Sequence, residues 1–194
     1  LRGDAPESLI ETYNDERVYG ADENILNSSR ATSFMTPKTP MERMFRDSVL
    51  DLAADHEFAR KLVNSGRLSR PCDLGFSRLQ SASDDGGYPV GAAMVDAPLG
   101  DNGWLLDRVG GRFTALAIDT ELPELPGGVD GIVVSSDPER CDGVSRLHDA
   151  QKLVTARYGE GRIYLVRPDQ HIAAACRDAT ALWAAWSRAT GRAE

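Results

Sequence analysis

Short apolar runs alternate with helical patterns in the last part of the chain, from residue 104 to residue 194. Two of these runs, RFTALAI (112–118) and GIVVSS (131–136), have the length and apolar content of buried strands. A third stretch, GRIYLVRPDQHIAAACR (161–177), is typical of two strands joined by a tight turn, because Pro168 and Asp169 favour turns. The pattern therefore predicts four strands in this region.

Helical signals fill the gaps between these strands. Ser145 can cap a helix that ends at Gly159, and Asp178 can cap a last helix that closes at Gly191. The apolar residues of the two helices are Leu147, Ala150, Leu153 and Val154 in the first, and Leu182, Ala185, Trp186 and Ala189 in the second. The order strand, strand, helix, strand, strand, helix predicts an α/β fold of the thioredoxin-like type, with a mixed sheet and flanking helices.

A long helix is predicted near the N-terminus, where Pro6 and Glu7 form a helix start signal. Its large apolar residues recur at steps of three to five positions, while acidic and amide side chains fall between them. We expect these apolar residues to form an interface with another surface: Leu9, Ile10, Tyr13, Val18 and Ile25.

Two shorter helices are predicted after this segment. Thr39, Pro40 and Glu42 form a capping box with proline at the first helical position. The apolar positions that follow have a helical period, and we expect them to face the core: Met41, Met44, Phe45, Val49, Leu52 and Ala53. Phe58 begins the apolar pattern of a second helix, for which Gly66 is the expected C-terminal cap.

Serine, aspartate, glycine and proline are frequent between residues 67 and 103, which predicts a long surface loop. The expected organisation therefore has three parts. Residues 1–33 form an N-terminal helical segment, residues 34–66 form a helical connector, and residues 67–194 form the thioredoxin-like domain with its core in 104–194.

Composition and charge restrict the possible partners. The chain has 194 residues, 41% of them hydrophobic, and its formal charge of −8 arises from 30 acidic and 22 basic side chains. A negative surface repels phosphate backbones, so we expect no binding to nucleic acid. No apolar run is long enough to cross a bilayer, and LRGDAPESLIETYNDER lacks the features of a signal peptide. We expect a cytoplasmic protein without a membrane partner.

Cysteine and histidine are sparse and widely spaced. Cys72, Cys141 and Cys176 show no C-x-x-C spacing, and no histidine pair has the spacing of metal ligands, so we expect no metal site. Thiol–disulfide exchange needs a cysteine at the start of the helix after the first central strand, where this chain has TELPELPGG. We expect structural thiols, with an exposed reactive Cys141 as the alternative.

Three stretches together resemble the C-terminal part of the class A flavoprotein aromatic hydroxylases, the family of phenol hydroxylase and 3-(3-hydroxyphenyl)propionate hydroxylase. The stretch LRGDAPESLIETYNDERVYGADENILNSSRATSFMTP is similar to the segment that closes the FAD-binding part of those enzymes. The stretches GWLLDRVGGRFTALAI and YLVRPDQHIAAACR are similar to the first strand and the closing hairpin of their C-terminal thioredoxin-like domain. The resemblance extends over nearly the whole chain.

The resemblance implies that the flavin and substrate sites lie upstream of these residues in a longer parent enzyme. That parent would use FAD and NAD(P)H to insert one oxygen atom into a phenolic ring. We therefore expect this chain to be a non-catalytic structural or oligomerisation part that has no catalytic residue and binds no FAD. Its expected partners are the upstream flavin/substrate domain and a second copy in a homodimer.

Two other functions stay open at this point. The chain could be a stand-alone interaction module of thioredoxin shape, without redox activity. It could also be a thiol oxidoreductase or peroxidase, which would require a reactive Cys141 or Cys176.

Overall fold

The computed structural model describes residues 6–63, 70–81, 87–100, 103–143 and 145–192. The chain divides into two compact units, one formed by Leu1–Asn14 with Asp73–Glu194 and the other by Asp15–Cys72. The helices are α1 (Ser8–Met35), α2 (Pro40–Asp55), α3 (Glu57–Val63), α4 (Leu153–Tyr158) and α5 (Ala179–Ala189). The strands are β1 (Phe113–Ile118), β2 (Val129–Ser135), β3 (Arg146–His148), β4 (Arg162–Val166) and β5 (Ile172–Cys176).

The five strands form one mixed sheet in the order β3-β2-β1-β4-β5. β1 is parallel to β2, with Phe113 opposite Val129, and β2 is parallel to β3. β1 is antiparallel to β4, with Leu116 opposite Tyr164, and β4 forms an antiparallel hairpin with β5. This architecture, together with the flanking helices and the N-terminal helical segment, confirms the predicted α/β fold class with a mixed sheet.

Alternate residues of β1 point to opposite faces of the sheet, as the two-residue period of a strand requires. Leu116 and Ile118 belong to a core cluster that also includes Tyr158 of α4. Ala115 and Ala117 belong to a second cluster, together with the buried face of α5. The sheet is thus covered on both faces, which explains why its central strands are apolar throughout.

Two buried tyrosines attach an extended loop to the first of these clusters. Tyr158 Oη donates to the carbonyl of Val95 at 2.7 Å and accepts from the amide of the same residue at 2.9 Å. Tyr164 Oη accepts from the amide of Tyr88 at 2.9 Å and donates to the carbonyl of Tyr158. Burial raises the pKa of both phenols, so they stay protonated hydrogen-bond donors.

Most of the local signals in the sequence are confirmed. Thr39 and Glu42 form the predicted capping box at the start of α2, and Asp178 caps α5 through the amide of Ala181. The predicted hairpin is β4 with β5, and its turn contains Pro168 and Asp169. The expected cap at Gly66 lies outside the described residues.

The predicted helix that begins at Ser145 is wrong at its start. Arg146–His148 form β3, and Leu147 is buried in the core of the sheet. Helix α4 begins only at Leu153, where the fully buried carboxylate of Asp149 accepts hydrogen bonds from the amides of Leu153 and Thr155. Pairing with β2 satisfies the backbone of Arg146–His148, so the helix forms only after this short strand.

The predicted core-facing side of α2 is also wrong within this chain. Val49 is buried, whereas Met41, Met44, Phe45 and Leu52 are exposed. The period of the apolar residues therefore identifies a continuous apolar side of the helix, but no described residue of the chain covers it.

Candidate functional site

The carboxyl ends of the parallel strands β1, β2 and β3 meet at one edge of the sheet. In open α/β sheets, ligands typically bind outside this edge, so we treat it as the candidate site. We call it the carboxyl edge, and its residues are Asp119, Glu121, Ser135, Ser136, Arg140, Cys141, Arg146, Asp149 and Thr155.

Asp119 is the residue with most hydrogen bonds at the carboxyl edge. Its Oδ1 accepts from the Ser135 hydroxyl at 2.8 Å and from the Ser136 amide at 2.8 Å, and its Oδ2 accepts from the Thr155 hydroxyl at 2.9 Å. Partial burial alone would raise the pKa of this carboxyl, but these hydrogen bonds together outweigh burial and lower it. Asp119 is therefore ionised at neutral pH and connects β1, β2 and α4.

Glu121 lies between two arginines. Arg146 Nη2 donates to Glu121 Oε2 at 2.6 Å, and Arg140 Nη2 donates to Oε1 at 3.1 Å. The hydrogen bonds from Arg146 and then Arg140 lower the pKa of Glu121 to about 2. Both arginines are thus engaged by a carboxylate of the chain itself, which limits their capacity to bind an external anion.

Cys141 is held among backbone carbonyl groups. Its Sγ lies 3.2 Å from the carbonyl oxygen of Asp137 and 3.4 Å from that of Leu147. Burial raises the pKa of this thiol, and the charges of Asp137 and Asp119 raise it further. A reactive thiolate needs a lowered pKa, so this geometry favours a structural role for Cys141 over a reactive one.

The segment from Asp119 to Gly128 follows β1 without forming a helix. Leu122 and Leu125 lie against Gly131 of β2. A Cβ atom at Gly131 would lie only 2.8 Å from Leu122 Cδ1 and 2.9 Å from Leu125 Cδ1. Trp183 of α5 donates from Nε1 to the carbonyl of Glu124 at 3.2 Å. This segment therefore packs over the same face of the sheet as α5.

The turn of the β4–β5 hairpin contains a second charged cluster. Arg167 Nη2 lies 2.9 Å from Asp169 Oδ2, and His171 Nδ1 lies 3.4 Å from Asp169 Oδ1. Burial would raise the pKa of Asp169, but the hydrogen bond with His171 and the charge of Arg167 lower it to about 2. Gln170 donates from its side chain to the carbonyls of Leu106 and Val109, so the turn is fixed to the preceding loop.

The predicted interface residues of α1 differ in exposure. Ile10, Tyr13, Val18 and Ile25 are exposed, and Leu9 is half-buried. The side of α1 that is removed from solvent instead carries Thr12, Glu16 and Gly20. Large apolar side chains of the helix are thus available for contact with another surface.

The part of the chain that the structure describes has no cluster of side chains that could hold a metal ion and no helix that could span a membrane. Those residues contain no group of three or more histidine, cysteine, aspartate or glutamate side chains that could hold a metal ion. None of their helices is both long enough and apolar enough to span a bilayer.

No protein-family model and no curated protein sequence matches the chain. Solved structures do match it. The rebeccamycin biosynthetic enzyme RebC with reduced flavin is 20% identical, with a TM-score of 0.60 over 100% of this chain and 38% of RebC. The flavin-dependent monooxygenase PieE, in complex with FAD and substrate, is 19% identical, with a TM-score of 0.57 over 97% of this chain and 41% of PieE.

The chain has the fold of part of these flavin enzymes. At the level of the fold, this confirms the resemblance to flavin hydroxylases that the sequence indicates. The chain spans well under half the length of either structure.

Proposed function

We propose that the chain is the C-terminal, non-catalytic part of an FAD-dependent aromatic-ring monooxygenase of the cytoplasm. The observation that carries the proposal is the coverage: the whole chain aligns with RebC but accounts for 38% of it. In the parent enzyme, FAD and NAD(P)H would supply the oxygen and electron chemistry from sites outside this chain. Residues 67–194 would then be a thioredoxin-like domain, joined by a connector at 34–66 to the helical segment 1–33.

The carboxyl edge supports a structural role for the sheet. Asp119 and Asp149 accept hydrogen bonds from the backbone and hydroxyl groups around them, and Glu121 is paired with two arginines. A general acid or base for work at neutral pH needs a pKa near 7. The pKa values of Asp119 and Glu121 are shifted in the opposite direction, below their ordinary values.

The exposed residues of α1 support a role in contacts. Ile10, Tyr13, Val18 and Ile25 would pack against the flavin/substrate domain of the parent, together with Leu9, or against a second copy in a homodimer. Burial of one large apolar side chain contributes about 1.5–3 kcal/mol, so such a contact would be stable.

Titration of the purified chain with FAD tests the absence of a flavin site. We expect no stoichiometric change in flavin absorbance or fluorescence, and no NAD(P)H oxidation when a phenol is added. A stoichiometric spectral shift, or hydroxylation of the phenol by the chain alone, would overturn the proposal.

The reading frame upstream of the Leu1 codon distinguishes the proposal from the stand-alone module. We expect the transcript to encode an upstream segment with a glycine-rich dinucleotide-binding motif. A start codon close to Leu1 would instead support the interaction module of thioredoxin shape.

A further inference from the structure

Helix α2 presents a continuous apolar surface. Met41, Met44 and Phe45 are 72%, 63% and 58% exposed, which is unusual for three large apolar residues on adjacent turns. Together with Glu42 and Ser48, they line a groove of about 530 Å³. With a step of 100° per residue, Leu52 falls on the same side of the helix. We call Met41, Met44, Phe45, Ser48 and Leu52 the α2 face.

The helix that carries this face is fixed at both ends. At its start, Thr39 and Glu42 form the capping box. At its end, Arg60 of α3 donates from Nε to the carbonyl of Ala53 at 2.8 Å and from Nη2 to that of Ala54 at 2.7 Å. These bonds satisfy carbonyls of the last turn of α2 and connect it to α3. The α2 face is therefore preformed, and a partner would bind without first having to order the helix.

The charged residues that border the α2 face on this helix are acidic. Glu42 lies on one side of the face and Asp51 on the other, and Asp55 closes the face at the C-terminal end of the helix. Arg43 and Arg46 lie on the opposite side of the helix. Pairing with a second copy would bring carboxylates towards carboxylates, between chains that each carry a net charge of −8. The face is instead complementary to an apolar surface bordered by lysine or arginine side chains.

The comparison with flavin enzymes supplies a candidate for that surface. More than half of RebC lies outside the region that aligns with this chain, since the alignment covers 38% of RebC. We propose that the α2 face docks on the flavin- and substrate-binding portion of the same polypeptide, through an apolar surface with a basic rim. This inference rests on the proposed function. It adds the α2 face to the exposed apolar residues of α1 as a second contact surface for the upstream portion.

Site-specific photo-crosslinking in the polypeptide that the gene encodes tests this docking. A benzophenone amino acid is placed at Met44 in the α2 face, and a matched control is placed at Leu50, which is exposed on the opposite side of α2. We expect the probe at Met44 to form intramolecular crosslinks to peptides upstream of residue 1, identified by mass spectrometry, and the probe at Leu50 to form few. Crosslinks from Met44 to a second copy, or yields equal to those from Leu50, would overturn the inference.

Charge reversal at the border tests the basic rim. We expect the double substitution Asp51→Lys with Asp55→Lys to lower the crosslink yield from Met44 at least several-fold. A charge reversal on the opposite side of the helix, Arg43→Glu, should leave the yield unchanged. An unchanged yield in the double variant would contradict the predicted basic rim.

The outcomes separate the two proposals. A polypeptide without an upstream flavin portion would overturn both. A polypeptide that binds FAD but does not crosslink from Met44 to its upstream portion would overturn only the docking of α2.

Discussion

The carboxylate of Asp119 accepts a hydrogen bond from the hydroxyl of Thr155 at 2.9 Å, although the two residues are 36 positions apart. Asp119 follows β1, and Thr155 lies in the first turn of α4. The same carboxylate binds Ser135 and the amide of Ser136 at the end of β2. One side chain thus holds two parallel strands and a helix in register, which is a structural use of a position where α/β enzymes often bind ligands.

Replacement of Asp119 by asparagine should weaken this junction. Asp119 has a positive φ of 49°, which asparagine tolerates, so Asp119→Asn leaves the backbone unstrained. The amide nitrogen cannot accept the hydrogen bonds of the oxygen it replaces. We expect the free energy of unfolding to fall by about 1–3 kcal/mol, measured by urea denaturation. Asp107→Asn, at an exposed position, serves as the control, and an equal loss in both variants would contradict the role of Asp119.

The ion pairs of Glu121 predict a pH dependence of stability. Its pKa falls from an ordinary value of 4.5 to about 2 in the folded chain. A lowered folded pKa means that the contribution to stability is complete above the unfolded value and is lost as the pH falls towards the folded value. The melting temperature of the native chain should therefore exceed that of Glu121→Gln above pH 4.5, and the difference should disappear as the pH approaches 2.

A constant difference between the two proteins across this pH range would contradict the assignment. Removal of the stronger partner provides a second control. Arg146→Ala should raise the pKa of Glu121 towards its ordinary value, as followed by NMR of the side-chain carboxyl group.

Cys141 should react slowly with alkylating agents. Its pKa is raised by burial and by the neighbouring acidic residues, and the reactive species is the thiolate. We expect iodoacetamide under mildly alkaline conditions to modify Cys141 more slowly in the folded chain than in the same chain unfolded in urea, as quantified by peptide mass spectrometry. Equal rates in the folded and unfolded chain would contradict this prediction and would support Cys141 as an exposed reactive thiol.

Local signals predict much of the fold because the interactions behind them span only a few residues. Thr39 and Glu42 are three positions apart, and Asp178 caps the helix that begins beside it. Strand β3 could not be predicted because Arg146–His148 is too short to show a strand pattern. Its pairing with β2 is visible only in the three-dimensional structure. Sequence periodicity therefore locates the long elements but not this edge strand.

The carboxyl edge could not be predicted from the sequence, because Asp119 is separated by 16 positions from Ser135 and by 36 from Thr155. No local motif joins these residues, and only the strand register and the position of α4 bring them together. The exposure of Met44 and Phe45 could not be predicted either, for a different reason. Periodicity shows which side of a helix is apolar. It does not show which other part of the protein covers that side.

Gly91 provides the sharpest test of packing in the long loop. Its φ is +88°, and a Cβ atom at this position would lie 2.2 Å from the backbone nitrogen of Gly75 and 2.7 Å from the carbonyl carbon of Leu74. Gly91 also accepts from the amide of Leu74 and donates to the carbonyl of Ile172, both at 2.8 Å. Because the clash is with backbone, Gly91→Ala would force these two hydrogen bonds apart.

Gly111 is the matched control, since its φ is +73° and a Cβ atom there would meet nothing within 4 Å. Both alanine variants should lose about 1–2 kcal/mol from the left-handed backbone conformation. Gly91→Ala should lose roughly a further 1–3 kcal/mol from the two disrupted hydrogen bonds. Urea denaturation of the two variants measures the difference directly. Equal losses would mean that the backbone at Leu74 and Gly75 moves aside without cost, and that the close approach at Gly91 does not hold this loop on the sheet.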